Sequence, residues 1–380
     1  MSRVALGDVA VEHKEFCKGN KSEYPVVGLE HLIPGEITLS AWDNNSNNSF
    51  TKMFRKGNVL FGRRRAYLKK AVVAPFDGIC SGDITVIEAK PERILPELLP
   101  FIIHNDALFD YAVGRSAGSL SPRVKWEHLK DYEFELPDME KQKELAEVLW
   151  AIDDAMEAYK KLISATDELL KSQFVEVFGE EKVSKCKWPL SRMEDVFEIT
   201  SSKRILKSEW RTEGQIPFLR VRDMVQLANR EPLTNEFFVT EDFYERQTDA
   251  DGKTKPGDIM VSATSTIGKT YIIKPGERFY FKDADVLRFR KKKEINSIFF
   301  TYGMNMPTVR EQIDAGLGAT TVSHLLISKA CLIQQPMPPM ELQEWFATLY
   351  EQTNKSKFEL EQTLFELTAT YKRILSENLS

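Results

Sequence analysis

Two segments of the chain carry hydrophobic residues at the spacing of a long amphipathic helix. In residues 137–182, Leu145, Ile152 and Tyr159 fall seven apart, and two further sevenfold series run beside them. Such a stripe, kept up for about four heptads, is typical of a helix that pairs with another helix. The residues of this helix that we expect at a helix–helix or partner contact are Leu145, Ile152, Leu162 and Leu169.

The second such segment is residues 338–380, and no proline interrupts its periodic part. Each helix has about 40 residues and would span roughly 60 Å. Either helix alone fits an ordinary core helix equally well. Two of them at equivalent places favour an antiparallel pair that acts as a spacer, with acidic outer faces for a partner. The corresponding contact residues are Leu360, Leu364, Leu367 and Tyr371.

The remaining regions, residues 1–136 and 183–337, show short β-type runs separated by Gly, Pro, Asn and Asp. Short helices are predicted near 97–112 and 296–314. The pattern predicts an α+β protein with two mixed α/β domains, each followed by a long helix. The predicted strands include 72–73, 84–87, 259–261, 271–273 and 286–287.

The chain also repeats itself in sequence. Gly57-Asn58-Val59-Leu60 recurs as Gly257-Asp258-Ile259-Met260, and the segment 136–142 recurs as 337–343. Five such matches occur in the same order, with an offset that drifts only from 187 to 201 residues. We therefore expect a pseudo-twofold repeat in which residues near 1–178 superpose on residues near 188–379.

The net charge of −5 changes meaning once it is divided along the chain. The two domains carry 0 and +4, whereas the helices carry −6 and −3. Because phosphate binding depends on the local field, the acidic total does not exclude DNA.

The four cysteines lie far apart and form no C-x-x-C pair, which argues against zinc and disulfides. Neither a signal peptide nor a membrane span is predicted, so we expect a cytoplasmic protein.

The first domain has two candidate DNA-contacting loops. Residues 63–70 form its densest basic run, and residues 114–123 combine Arg, Ser and Gly. Arginine can bridge a phosphate or grip guanine with two donors. A plain surface charge is the alternative for any one of these residues. The candidates are Arg63, Arg64, Arg65, Tyr67, Lys69, Arg115, Ser119, Ser121 and Arg123.

The second domain carries hydroxyl groups at the equivalent places, 262–269 and 316–323. Hydroxyls are short donors and acceptors that can meet bases or phosphates. Different side chains on one repeat are expected if the two domains read different sequences. The candidates are Lys203, Arg204, Arg220, Arg222, Thr264, Ser265, Thr266, Lys269, Thr320 and Thr321.

One signal favours an enzyme instead. Asp77, Glu88 and Lys90 mimic the acid and lysine pattern of Mg²⁺-dependent nucleases. In the second copy Glu88 falls on Arg290, so the metal-binding acid is lost there. There is no glycine-rich cofactor loop after a strand and no G-x-x-x-x-G-K-[ST] loop. We predict no catalytic apparatus and no metal or cofactor site in this chain. A coiled-coil scaffold for proteins remains an alternative, and a stand-alone nuclease is a weaker one.

Three motifs carry a family resemblance: Gly257–Ser262, Trp188-Pro189-Leu190 leading into Asp195-Val196, and a helix entry that occurs twice, as Leu136–Gln142 and as Pro338–Gln343. Their order resembles the specificity subunits of type I restriction-modification systems over nearly the whole chain. The chain departs from the family pattern at Asp138 and at Asn58.

The resemblance implies a non-catalytic subunit whose two domains each read half of a split double-stranded DNA target. It implies domains at 1–136 and 183–337, with spacer helices at 137–182 and 338–380. The helices would set the separation of the half-sites and dock two methyltransferase subunits, and restriction subunits could join. S-adenosylmethionine, ATP and Mg²⁺ would then belong to those partner subunits.

Overall fold

The computed structural model describes residues 2–44, 49–118, 120–179, 187–248, 253–316 and 324–379. The chain divides into two compact units. Unit 1 comprises residues 1–163 and 359–380, and unit 2 comprises residues 164–358. Each unit thus contains one mixed α/β domain together with a part of each long helix.

The elements of the first half alternate short strands and helices before one long helix. They are β1 Ser2–Ala5, α1 Leu6–Val9, β2 Ala10–Glu12, β3 Val26–Val27, β4 Lys52–Phe54, β5 Val59–Gly62, β6 Ala71–Val73, β7 Gly78–Cys80, β8 Ile84–Ala89, α2 Leu99–Ile103, α3 Asp106–Gly114, α4 Trp126–Leu129, β9 Glu133–Leu136 and α5 Met139–Phe178.

The second half follows a similar order. Its elements are β10 Leu190–Arg192, α6 Met193–Val196, β11 Phe197–Thr200, β12 Ile216–Leu219, α7 Val221–Ala228, β13 Phe238–Val239, α8 Glu241–Gln247, β14 Ile259–Ser262, β15 Thr270–Ile272, β16 Tyr280–Phe281, β17 Val286–Lys291, α9 Ser297–Gly303, α10 Pro307–Gly316, α11 Ile327–Ala330, β18 Gln334–Pro336 and α12 Met340–Asn378. Single-turn 3₁₀ helices lie at Lys21–Glu23, Leu29–His31, Ala66–Leu68, Pro96–Leu98 and Lys207–Glu209.

Each unit contains an antiparallel four-stranded sheet with the same strand order. The order is β2-β8-β5-β6 in unit 1 and β11-β17-β14-β15 in unit 2. Successive side chains point to opposite faces of a strand. Val59 and Phe61 therefore pack into one core, while Leu60 packs into another on the far side. Because both faces are covered, the strands read as continuous apolar runs, which is why the sequence revealed them.

A smaller three-stranded sheet accompanies each large one, and here the two units differ. In unit 1, β7 is central, parallel to β3 and antiparallel to β4. In unit 2, β12 is central, parallel to β16 and antiparallel to β13. The repeat is thus the same in the large sheet and altered in the small one.

The long helices α5 and α12 pack against each other within each unit. In unit 1 the Thr368 hydroxyl lies 3.6 Å from the Met156 sulfur. In unit 2 Lys357 donates to Asp167 at 2.6 and 2.7 Å. Further along α5 in unit 2, Phe174 stacks edge-on against Phe346. Later residues of α5 thus contact earlier residues of α12, which confirms the predicted antiparallel pair. Within the described ranges no helix is long and apolar enough to cross a membrane.

The predicted contact residues do not all lie between the helices. Leu145 and Tyr371 are buried in the core of unit 1, with Ile152, Leu364 and Leu367 packed against it, and Leu360 is half-buried. Leu162 and Leu169, however, are 53% and 49% exposed. The expectation that they join the helix pair is therefore wrong. The stripe is too wide for one partner helix, so these two leucines lie on the outer side of α5. Their contact with a partner protein, the other half of the expectation, stays a prediction.

His104 follows α2, and its Nε2 donates to the carbonyl oxygen of Ala71 at 2.6 Å. Burial lowers the pKa of His104 to about 4. In the unfolded chain this histidine has a pKa of about 6.5. Between pH 6.5 and 4 it is therefore protonated in the unfolded chain and neutral in the folded chain. Stability should therefore fall as the pH drops from about 6.5 to 4, by about 2 kcal/mol at pH 5.

His104→Asn should flatten this part of the pH dependence in urea unfolding. His128→Asn, at an exposed histidine of the same unit, is the matched control and should leave the dependence unchanged. An unaltered pH dependence in the His104 variant would contradict the assignment.

Candidate nucleic-acid interface

In unit 1 the two candidate loops lie against each other. Arg65 N donates to the carbonyl oxygen of Pro122 at 2.8 Å, and Val124 N donates to that of Arg63 at 3.0 Å. The first loop begins where β5 ends, and the second follows α3. Residues about 60 positions apart in sequence thus form one surface at a single end of the sheet.

A carboxylate that sequence reasoning missed lies at the base of this surface. Asp83 accepts two hydrogen bonds from the guanidinium of Arg123, at 2.7 and 3.2 Å. Arg64 Nη1 lies 3.7 Å from the same carboxylate, and Arg64 Nε donates to Ser121 Oγ. The hydrogen bond from Arg123, with smaller contributions from Arg64 and Arg63, lowers the pKa of Asp83. Asp83 therefore holds two arginines of different loops in fixed positions.

The other candidates of unit 1 differ in their exposure and in their contacts with neighbouring side chains. Arg65 is exposed, with the left-handed φ of 55°, and Tyr67 is 54% exposed. Arg115 is exposed and lies over the Tyr111 ring, 5.3 Å from its centroid. Lys69 forms an ion pair of 2.5 Å with Asp106, which the sequence analysis also missed. Ser119 lies outside the described residues.

Unit 2 uses the same backbone frame for its equivalent loop. Ala263 N donates to Asp285 O at 2.8 Å, as Arg63 N does to Asp83 O at 3.0 Å. Leu325 N donates to Ala263 O at 2.8 Å, and Thr264 forms a bridge with His324. Thr264 and His324 thus stand where unit 1 has Arg64 and Arg123.

The hydroxyl loop of unit 2, residues 262–269, is fixed by hydrogen bonds at its base and exposed to solvent at its tip. Ser262 Oγ accepts from Lys269 N at 2.9 Å, and Arg310 Nη1 donates to Ile267 O. Ser265, Thr266 and Lys269 are exposed, whereas Thr264 is half-buried. Thr320 and Thr321 lie outside the described residues.

The four basic candidates of unit 2 fall into two groups. Lys203 and Arg204 are exposed and follow Ser201, whose hydroxyl bonds to Val286 O and Ala284 N. They leave the sheet at the end where the hydroxyl loop begins. Arg220 and Arg222 instead form ion pairs with Glu236 and Asp223. Their charge is largely neutralised, so Lys203 and Arg204 are better placed to meet phosphate.

The nuclease-like residues do not converge on a metal site. Asp77 accepts from Arg55 Nη1 at 2.8 Å, and Glu88 is bound by His13 Nδ1 at 2.8 Å. Lys90 donates to the carbonyl oxygen of Gly7 at 2.6 Å. Each candidate ligand is engaged with a different neighbour. Among the residues with described positions, no group of three His, Cys, Asp or Glu could hold a metal ion.

Asp83→Asn tests the role of the missed carboxylate. The variant keeps the shape but loses the charge that fixes Arg64 and Arg123, so we expect a loss of about 1 kcal/mol in unfolding free energy. Affinity for random DNA should stay the same or rise, because a negative charge is removed near the phosphates. Discrimination between target and random DNA should fall, measured by competition binding. Unchanged discrimination would show that Asp83 is only structural.

The fold defines a protein with two copies of one sheet-based domain, each with a loop at the same end of its large sheet. The chain belongs to the type I restriction modification DNA specificity domain family, whose model matches residues 4–165 and 186–366. Both copies of the repeat are thus included in the match.

Individual relatives agree with this assignment. A putative type I restriction enzyme specificity subunit of Haemophilus influenzae is 30% identical over 93 residues, 24% of this chain and 22% of that protein. The specificity subunit of the type I restriction enzyme EcoDI from Escherichia coli is 26% identical over 162 residues, 38% of this chain and 35% of that protein. These matches span about a fifth to a third of the relatives' lengths.

A solved structure extends the similarity to the whole chain. The S subunit of a type I restriction-modification system from M. genitalium superposes with a TM-score of 0.59 at 13% identity, over 100% of this chain and 96% of that one. At this identity the likeness is one of fold alone.

Proposed function

We propose that this chain is the non-catalytic specificity subunit of a type I restriction-modification complex. It reads a split double-stranded DNA target and directs methyltransferase and restriction subunits to it. The observation that carries the proposal is the repeated frame with different side chains: Arg64 and Arg123 on one copy, Thr264 and His324 on the other. One scaffold with two sets of reading groups suits two different half-sites. Acting on DNA, the subunit would work in the cytoplasm.

The direct test is methylome sequencing of cells that express this chain with its methyltransferase partner. The expected result is methylation at two short specified blocks separated by an unspecified gap. A continuous motif would contradict the split target. A binding-shift assay at low salt separates this function from that of a protein scaffold, which would not retain DNA.

The contacts to methyltransferase subunits are proposed for the acidic outer faces of α5 and α12. Two exposed carboxylates, Glu144 and Glu147, lie near the start of α5, and Glu144 pairs only with its helix neighbour Lys141 among the described residues. Charge reversal at such a surface removes electrostatic attraction without disturbing the core.

Glu144→Lys with Glu147→Lys should weaken co-purification of the methyltransferase by about tenfold or more in affinity. The thermal midpoint of the isolated chain should change little. Lys143→Glu, an exposed neighbour of opposite charge, is the matched control and should not weaken assembly. Undiminished assembly of the double variant would place the methyltransferase elsewhere.

A further inference from the structure

The outer edge of the large sheet is covered in unit 1 by a segment of the chain itself. Val73 N donates to Ile37 O at 2.7 Å, and Leu39 N donates to Val73 O at 3.0 Å. Thr38 thereby pairs with Val73 in parallel orientation. The remaining outward carbonyl, that of Ala71, accepts from His104. Both outward-facing residues of β6 thus have a hydrogen-bonding partner from unit 1 itself.

Strand β15 occupies the equivalent edge in unit 2. Ile273 N donates to Asp258 O at 3.0 Å, as Ala74 N does to Asn58 O at 2.9 Å. Thr270 and Ile272 therefore take the places of Ala71 and Val73. Hydrogen-bonded and outward-facing residues alternate along such a ladder, so both turn their backbone groups away from β14.

Among the described residues of unit 2, no segment covers this edge as residues 37–39 cover β6 in unit 1. No described residue makes a hydrogen bond to the outward backbone groups of Thr270 or Ile272. Asn305 stands where unit 1 has His104, but its side-chain amide donates to Thr301 O at 3.0 Å instead. An uncovered edge leaves N–H and C=O groups ready to pair with another strand.

A groove of about 550 Å³ lies in front of the edge. Its walls are the end of α7, the edge strand itself, α9 and residues 350–355 of α12. The lining contains Arg230, Lys269, Lys274 and Lys355 against a single acid, Glu351. In the described part of the chain none of these four cations forms an ion pair, so the groove is strongly basic.

We propose that this groove binds an extended acidic segment of a partner protein, which adds to β15 as a parallel strand. The backbone pairs supply the affinity, and the four cations select acidic side chains. A peptide satisfies both the N–H and the C=O groups of Thr270 and Ile272. A DNA backbone offers only acceptors there and would leave the two carbonyls unpaired. Unit 1 performs the same pairing within its own chain, with residues 37–39.

The probe is a fluorescent peptide that copies residues 34–41 and carries two added glutamates at each end. Anisotropy titration with the full chain should give saturable binding. In unit 1, Leu39 supplies the donor and Thr38 does not. N-methylation of the peptide at the leucine position should therefore weaken binding at least tenfold, while N-methylation at the threonine position should not. No saturable binding, or equal binding of both methylated peptides, would overturn the proposal.

Two variants of the full chain test the groove itself. Ile272→Pro removes an outward N–H while sparing the ladder to β14, and it should abolish binding. Lys274→Glu with Lys355→Glu leaves the edge intact and should weaken binding at least tenfold, more so at low salt. Lys207→Glu, at an exposed lysine that does not line the groove, is the control and should bind normally.

The same measurements distinguish other occupants. If the chain sediments as a dimer that Ile272→Pro makes monomeric, the edge pairs with a second copy and the partner proposal fails. If duplex DNA displaces the peptide and loses affinity in the lysine variants, the groove belongs to the DNA surface and the proposal fails again. Both results leave the proposed target reading standing, because methylome sequencing tests it separately.

Discussion

Lengthening both long helices by seven residues is expected to lengthen the gap of the DNA target by about three base pairs. The insertions follow Ala165 in α5 and Glu359 in α12. Both helices must be extended, because they are paired on either side of the insertion, through Met156 and Thr368 and through Asp167 and Lys357. One heptad adds about 10 Å of helix, close to three base pairs at 3.4 Å each.

The specified blocks should stay the same, and the measurement is methylome sequencing of the lengthened subunit with its methyltransferase. Affinity should fall, because three base pairs also rotate the half-site by roughly 100° about the DNA axis. Exchange of residues 183–337 for another domain of the family is the reciprocal control: it should change one block and keep the gap. An insertion that altered the blocks themselves would show that the helices do not measure distance.

Replacing Arg63, Arg64 and Arg65 with alanine should produce the largest loss of DNA affinity of any three substitutions in unit 1. Each lost phosphate contact should weaken binding to all sequences and reduce the salt dependence by about one charge. Each lost base contact should cost roughly 1–3 kcal/mol on the target only, about 5- to 150-fold. Arg65, the exposed member of the three, is expected to give the largest single effect.

Affinity is measured by fluorescence titration against target and random duplexes at several salt concentrations. Arg222→Ala is the matched control, because Glu236 and Asp223 already neutralise that guanidinium. Its affinity should change little, and thermal unfolding should show that the triple variant is folded. If the triple variant kept both its affinity and its target, the reading surface of unit 1 would have to be sought in loop 114–123.

Hydrophobic patterning was enough to predict the long helices and the buried strands, and recurring motifs were enough to predict the repeat. The helix α5 runs from Met139 to Phe178, between Pro137 and Gly179, as its uninterrupted apolar stripe indicates. Strands β5 and β14 are apolar on both faces, so they could be recognised without knowing their partners. The helices and strands follow from local backbone geometry and burial, and the types of neighbouring residues determine both.

The tertiary structure decided what neighbouring residues cannot specify. Leu162 and Leu169 have the spacing of core positions, yet about half of each side chain is exposed. The heptad spacing does not show how much of the apolar stripe the other helix covers. Asp83 has no sequence signal as an organiser, since its role arises only where two distant loops meet. The covered edge at Val73 and the open edge at Ile272 likewise differ through backbone hydrogen bonds. Such bonds depend on the path of the chain rather than on side-chain identity.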